Sequence, residues 1–128
     1  MRKKLRIYVA GPYSSNPEAN TLEAIKLAHE LMEREYVPFV PHLTHYWHLQ
    51  HPREYEEWLE FDEHWLKQCH ALNRLQGESL GADREVITAR IVKIPVFYTL
   101  DMLDEWRMQQ LYVKEQSPCA PEANIVVS

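Results

Sequence analysis

The sequence is poor in cysteine and glycine, and both shortages exclude classes of protein. Its two cysteines, Cys69 and Cys119, stand far apart with no CxxC pair. We therefore expect no disulfide framework and a reducing, cytoplasmic location. The three glycines form neither a GxGxxG nor a GxxxxGK[ST] pattern, so a dinucleotide-binding fold and a P-loop ATPase lose their main support.

Long apolar runs and an excess of positive charge are also missing. No segment approaches the roughly 20 apolar residues of a membrane-spanning helix, so we expect no membrane partner. The formal net charge is −5 at pH 7, which argues against a nucleic-acid partner. The 128 residues suit one compact domain. We place that domain at 1–116 and a C-terminal tail at 117–128, which a neighbouring subunit could order.

The apolar pattern alternates between strand-like runs and helical spacing. Strands are predicted at 5–10, 36–41, 71–75 and 94–99, with a short fifth at 125–127 as an option. Helices are predicted at 18–34, 54–69, 81–93 and 101–114, and a polar loop at 42–53. This alternation is typical of a parallel sheet with helices on both faces. We predict an α/β, flavodoxin-like or Rossmann-like three-layer sandwich with a parallel sheet of four to five strands.

Each of the three glycines, Gly11, Gly77 and Gly81, follows a predicted strand at its carboxyl end. Ligands of open parallel sheets bind in the crevice outside those ends. Glycine there permits a tight turn and lets a ligand approach the backbone. The alternative is that these glycines only form turns.

Two acidic residues stand where apolar side chains are expected. Asp62 interrupts the stripe of helix 54–69, which consists of Tyr55, Trp58, Leu59, Trp65, Leu66 and Cys69. Glu85 shares its predicted helix face with Ala82, Ala89 and Val92. Burying a carboxylate without partners is costly, so both positions call for a reason. The alternatives to a catalytic role are a salt bridge or a cap on a neighbouring loop for Asp62, and an interaction with the helix dipole for Glu85.

A third polar group, the phenol of Tyr8, lies late in an otherwise apolar strand. A core tyrosine with a satisfied hydroxyl would explain it equally. Two inward carboxyl groups and a phenol near strand ends also fit glycosidic chemistry. One carboxylate attacks the anomeric carbon and the other acid protonates the leaving group. The phenol hydrogen-bonds the attacking carboxylate and orients it.

Four segments carry a resemblance to a known family, in the order 7–14 (IYVAGPYS), 62–69 (DEHWLKQC), 79–85 (SLGADRE) and 94–97 (IPVF). The chain resembles the nucleoside 2-deoxyribosyltransferase-like family, which includes the 2'-deoxynucleoside 5'-phosphate N-hydrolases. The resemblance implies that Glu85 is the nucleophile, that Asp62 is the acid for the departing base, and that Tyr8 positions the nucleophile. It also implies an enzyme without a cofactor that forms a homo-oligomer.

The resemblance also implies which residues contact the substrate. These are Gly11, Pro12, Tyr13, Ser14 and Ser15 in the first loop, and Ser79 and Gly81 at a helix N-terminus, where anions are favoured. The transferases carry Asp at the position of Ser79, whereas the N-hydrolases carry Ser, which favours hydrolysis. Those hydrolases hold phosphate with an arginine in the first loop. None stands between Gly11 and Asn20 here, so the need for a 5'-phosphate stays open.

Histidines recur at every third position of the segment 42–53, as His42, His45, His48 and His51. This spacing matches no standard metal-ligand pattern, and we predict no metal site. The functional interpretation is substrate contact, with Tyr46 or Trp47 stacking on a base and His42 or His45 hydrogen-bonding a phosphate or sugar. The alternative is a polar surface loop.

The resulting expectation is an enzyme that cleaves the N-glycosidic bond of a (2'-deoxy)nucleoside or nucleoside 5'-monophosphate. It would work through a covalent intermediate on Glu85 that water resolves. Three alternatives stay open. They are a base-exchanging deoxyribosyltransferase, a phosphotransfer or metal-dependent hydrolase that uses the histidine segment, and a nucleotide-sensing module without turnover.

Overall fold

The computed structural model describes residues 4–116, with side chains to residue 111. Its strands are β1 (Arg6–Ala10), β2 (Val37–Phe39), β3 (Ala71–Arg74) and β4 (Val96–Phe97). Its α-helices are α1 (Pro17–Glu33), α2 (His45–Gln50), α3 (Tyr55–Leu66), α4 (Leu80–Ile91) and α5 (Leu100–Gln116), and a 3₁₀ turn spans Pro41–Thr44. The optional fifth strand and the predicted tail lie outside the described residues.

The four strands form one all-parallel sheet in the order β2-β1-β3-β4. Pro38 lies in β2, opposite Ile7, and β2 stands at the sheet edge, where a residue without a backbone N–H is tolerated. Helices cover both faces, so the predicted α/β flavodoxin-like sandwich is confirmed. None of the helices within residues 4–116 is long and apolar enough to cross a membrane.

The two sheet faces carry separate apolar cores. Ile7 and Val9 pack in one core with Leu31 of α1 and Leu103 of α5. Tyr8 packs in the other, with residues of α3 and α4. Successive strand residues point to opposite faces. Tyr8 is therefore directed to the side of the sheet that carries Asp62 and Glu85.

Helix α4 begins one residue earlier than predicted, because Ser79 caps it. The Ser79 hydroxyl oxygen accepts a hydrogen bond of 3.1 Å from the backbone N–H of Ala82, as an N-cap residue does. Glu85 consequently lies in the second turn, and Asp83 occupies the first. The helix-dipole explanation for Glu85 weakens, since that effect fades beyond the first turn.

The predicted loop 42–53 is wrong, because most of this segment is helical. Pro41 opens the 3₁₀ turn with its restricted φ, and α2 continues from it and ends before Pro52. The side chain of Trp47 packs edge-on against Trp58 and Phe61 of α3. This packing between helices stabilises a segment whose own sequence shows no apolar periodicity.

The apolar stripe predicted on α3 is narrower in the structure. Leu59, Asp62 and Leu66 are buried, but Tyr55 and Trp65 are 54% and 48% exposed. Trp65 instead stacks on Phe39 of the edge strand. The stripe assigned to Glu85 also loses a member, because Val92 is exposed at the C-terminal end of α4.

Candidate active site

A cavity of 630 Å³ opens at the carboxyl end of the sheet, where ligands of parallel sheets bind. Its wall combines the loop after β1, the turn after β2, the loop after β3 and one side of α3. The residues that line it are Gly11, Tyr13, Ser14, Ser15, Pro41, His42, Thr44, His48, Arg53, Tyr55, Trp58, Leu59, Asp62, Glu78, Ser79, Leu80, Gly81, Ala82 and Glu85.

Among the carboxylates of this wall, Glu85 is the one whose ionised form is best stabilised by neighbouring groups. Its residue is only 7% exposed, and the hydroxyl of Tyr8 donates a hydrogen bond to its Oε2. Burial raises the pKa of Glu85 to about 7, although the hydrogen bond from Tyr8 and the charge of Arg74 act in the opposite direction. Burial and the nearby charge of Glu85 raise the pKa of Tyr8 well above its usual value. Tyr8 therefore stays protonated and remains a donor.

Asp62 lines the same cavity, but neighbouring groups stabilise its ionised form much less. It is 9% exposed, and its Oδ1 has no hydrogen-bond partner among the side and main chains that the structure describes. Burial and, as the smaller cause, the charge of Glu85 raise the pKa of Asp62 to about 8. The two carboxyl groups thus differ in chemistry. Glu85 has a donor that favours its anion, whereas Asp62 is held as a neutral acid at pH 7.

The loop before α4 is held by the buried side chain of Arg74. Its guanidinium donates to the carbonyl of Leu75, donates to the carbonyl of Gly77 at 2.9 Å, and pairs with Asp83 at 3.1 Å. Gly77 has a φ of +114°, and a Cβ there would lie 2.8 Å from Cγ of Pro12. A side chain at this turn would be strained. The loops after β1 and β3 therefore pack against each other at the mouth of the cavity.

Two histidines fix the loop after β1. Nε2 of His42 lies 2.9 Å from the carbonyl oxygen of Pro12, and Nδ1 of His45 lies 2.5 Å from the hydroxyl of Tyr13. His42 lines the cavity, whereas His45 is buried and does not. His42 is thus part of the cavity wall, whereas His45 only supports the loop after β1.

The structure brings most of the expected site residues together. Those on the wall are Gly11, Tyr13, Ser14, Ser15, His42, Asp62, Ser79, Gly81 and Glu85, and Tyr8 reaches the site through its hydrogen bond to Glu85. The side chains of Pro12, His45 and Trp47 are not on the wall. Trp47 cannot stack on a ligand there, because the helical turn of α2 directs its ring onto Trp58 and Phe61.

Sequence reasoning missed several wall residues, which are Thr44, His48, Arg53, Tyr55, Trp58 and Glu78. Trp58 had been assigned to an apolar stripe only, yet it stands four residues before Asp62 and so shares its helix face. Its ring N–H donates to Nδ1 of His48 at 2.8 Å. No comparable pattern in the sequence pointed to Arg53, because its position depends on helix α2, which was not predicted.

No group of three His, Cys, Asp or Glu side chains that could hold a metal ion occurs in the described part of the chain. His48 is instead engaged with Trp58, and His51 is exposed at the C-terminal end of α2. The regularly spaced histidines of the sequence therefore do not converge on one point in the structure.

Residues 5–99 match the family model described as "Domain of unknown function (DUF7768)", and the chain belongs to this family. The matched range contains all four strands and the complete cavity wall. A comparison with curated proteins finds none that matches. The family description names no activity, so a function has to be argued from the site itself.

Proposed function

We propose that this member of the DUF7768 family cleaves the N-glycosidic bond of a (2'-deoxy)nucleoside or nucleoside 5'-monophosphate by hydrolysis. The observation that carries the proposal is a pair of buried carboxyl groups on one cavity wall, only one of which receives a phenolic hydrogen bond. Pairs of acids with different environments are the usual arrangement for splitting acid and nucleophile roles. The resemblance to nucleoside 2-deoxyribosyltransferase-like proteins leads to the same assignment.

Glu85 is the nucleophile in this proposal. The O–H of Tyr8 and the positive charge of Arg74 favour its ionised form, and the phenol also limits the rotation of the carboxylate. The ionised oxygen attacks the anomeric carbon of the sugar and forms a glycosyl ester with Glu85. The electron pair of the broken C–N bond leaves with the base.

Asp62 is the general acid. Its raised pKa of about 8 keeps it protonated at pH 7, so it donates its proton to the nitrogen of the departing base. The resulting carboxylate then takes a proton from the water that attacks the glycosyl ester. This second step releases the sugar, regenerates ionised Glu85 and returns the proton to Asp62.

Hydrolysis and base exchange differ only in the acceptor that resolves the ester. Ser79, which occupies the position where the resembled transferases carry Asp, supports hydrolysis. A serine hydroxyl carries no charge, and this one is engaged in capping α4, so it offers no anionic group to an incoming base. The expected homo-oligomer stays a prediction, which sedimentation equilibrium checks.

The experiment is chromatography of free base released from a panel of nucleosides and their 5'-monophosphates. Wild type is compared with Glu85→Gln, and Glu60→Gln on the exposed side of α3 is the matched control. We expect release by wild type and the control, and a loss of at least 1,000-fold in Glu85→Gln, since nucleophile removal costs this much or more.

A 2'-fluoro-nucleoside substrate adds a direct test of the intermediate, because the fluorine slows breakdown of the ester. Intact-protein mass should increase by one glycosyl unit in wild type and remain unchanged in Glu85→Gln. Release that requires a second base would indicate the transferase. Release that survives in Glu85→Gln refutes this mechanism, and binding without any release would favour the sensing module.

A further inference from the structure

Trp58 stands on the cavity wall one helical turn from Asp62. Both residues belong to α3 and both line the cavity, and side chains four positions apart in a helix are neighbours on one face. Glu85, on α4, lines the same cavity. An indole ring is therefore placed beside the carboxyl group that acts as general acid in the proposed function. That function uses the two carboxyl groups and leaves the indole ring without a role.

The indole ring of Trp58 is held by three side chains. Its N–H donates to Nδ1 of His48 at 2.8 Å, and the rings of Trp47 and Phe61 pack edge-on against it, with centroids 5.1 and 5.7 Å away. The backbone N–H of Arg53 donates to the same nitrogen of His48 at 3.3 Å, so this imidazole is fixed as well. A ring that is oriented before binding loses little conformational entropy when a ligand contacts it.

No aromatic ring within the described side chains stacks in parallel on Trp58. The rings of Trp47, Phe61 and His48 stand at 78°, 86° and 72° to it. Trp65 on the same helix does have a parallel partner, because Phe39 lies at 21° to it. Trp58 is half-buried and lines the cavity, and aromatic rings bind other planar rings by offset stacking. Its indole is thus available to a flat aromatic ligand.

The two carboxyl groups decide which part of a nucleoside reaches Trp58. In the proposed function Glu85 attacks the anomeric carbon from α4, whereas Asp62 protonates the departing base from α3. The base therefore lies on the α3 side of the cavity, beside Trp58. A purine presents two fused rings to the indole and a pyrimidine only one, so the stacked contact is larger for a purine. The cavity of 630 Å³ lies within the range of sites that enclose small organic ligands.

We propose that Trp58 is the stacking platform for the base and makes the cavity prefer purine over pyrimidine substrates. The proposal rests on the proposed function for the position of the base, and it extends that function by naming the class of base. It concerns the base alone, so it applies equally to nucleosides and to 5'-monophosphates. Trp58 acts in it as a specificity determinant and takes no part in bond cleavage.

The first test measures binding and therefore does not depend on turnover. Isothermal titration uses Glu85→Gln protein with purine and pyrimidine nucleosides and their 5'-monophosphates. We expect the purine compounds to bind more tightly than the pyrimidine compounds. Adding Trp58→Leu should lower the affinity for purines by roughly 5- to 150-fold, the effect of losing one base–aromatic stack, and should affect pyrimidines less. Trp65→Leu is the matched control on the same helix, because Trp65 does not line the cavity.

Tryptophan fluorescence tests the contact itself, because a base stacked on an indole ring quenches its emission. Purine binding should quench the emission of the Glu85→Gln protein. The quenching should be lost when Trp58→Phe is added and should persist when Trp65→Phe is added. Trp58→Phe retains a ring that packs against Trp47 and Phe61, so this measurement decides the question even if Trp58→Leu fails to fold.

Four results would overturn the inference. They are tighter binding of pyrimidines than of purines, equal purine affinity with and without Trp58→Leu, quenching that persists in Trp58→Phe, and no measurable binding of any purine compound. Equal losses in Trp58→Leu and Trp65→Leu would also refute it, because the effect would then be one of helix packing. Base release that does not depend on Trp58 refutes only this inference, whereas purine stacking on Trp58 without base release refutes only the glycosidase.

Discussion

Removal of the Tyr8 hydroxyl tests the electrostatic basis of the site most directly. Tyr8 is fully buried, and its O–H donates to Oε2 of Glu85. Tyr8→Phe retains the ring and its packing against Phe39 and removes only the donor. Because this donor favours ionised Glu85, we expect the pKa of Glu85 to rise in the variant.

The size of the effect follows from the strength of the lost bond. A hydrogen bond to a charged group contributes about 1.5–3 kcal/mol, and a change of one in pKa corresponds to about 1.4 kcal/mol. The pKa of Glu85 should therefore rise by roughly 1 to 2, from a starting value of about 7. It would then equal or exceed the pKa of about 8 for Asp62. The protonation order that the mechanism requires would be lost.

Carboxyl ¹³C chemical shifts followed by NMR across pH 4–10 report the pKa of Glu85 without any assumption about the reaction. If base is released, the acid limb of the pH–rate profile should move upward by the same amount, and the maximal rate should fall. Tyr36→Phe is the matched control. Its hydroxyl donates to a carboxylate oxygen of Asp104 at 2.6 Å, and neither residue lines the cavity.

A pKa of Glu85 that is unchanged in Tyr8→Phe would refute the reasoning, because the hydrogen bond would then contribute nothing to the ionisation of Glu85. An equal effect of Tyr36→Phe would refute it differently. Such a result would assign the change to a general loss of packing or stability, with no specific link to the phenol on β1.

Three further predictions concern stability, measured by urea unfolding or thermal melts. Asp62 has a raised pKa of about 8 in the folded protein, whereas an unfolded Asp ionises near pH 4. The folded state therefore has its full stability below pH 4 and loses stability as the pH rises through 8. Asp62→Asn should therefore gain roughly 2–5 kcal/mol on wild type between pH 4 and pH 9, whereas exposed Asp101→Asn should show no such gain. Gly77→Ala should cost about 1–3 kcal/mol, because its Cβ would meet Pro12 at a positive φ, and an unchanged melting temperature would contradict this. Arg74→Met should cost about 1–3 kcal/mol, since it leaves two carbonyls without their donor, and full stability would show that the loop is held otherwise.

The sequence by itself determined the layered fold and the central acidic residues. Alternating apolar runs identified the strands, and three- and four-residue spacing identified the principal helices, because both periodicities are local properties of the chain. The same spacing marked Asp62 and Glu85 as inward-facing, since each breaks an apolar pattern around it. Polar residues at such positions are visible without any knowledge of what lies opposite them.

Only the tertiary structure decided which side chains share the cavity. The segment after β2 is helical because Trp47 packs against α3, and that packing removes Trp47 from the site while leaving His42 on the wall. The partner of Glu85 is Tyr8, 77 positions away along the chain. The neutral state of Asp62 depends on burial by several elements at once. Such properties arise from contacts between distant segments, which no local period of the sequence encodes.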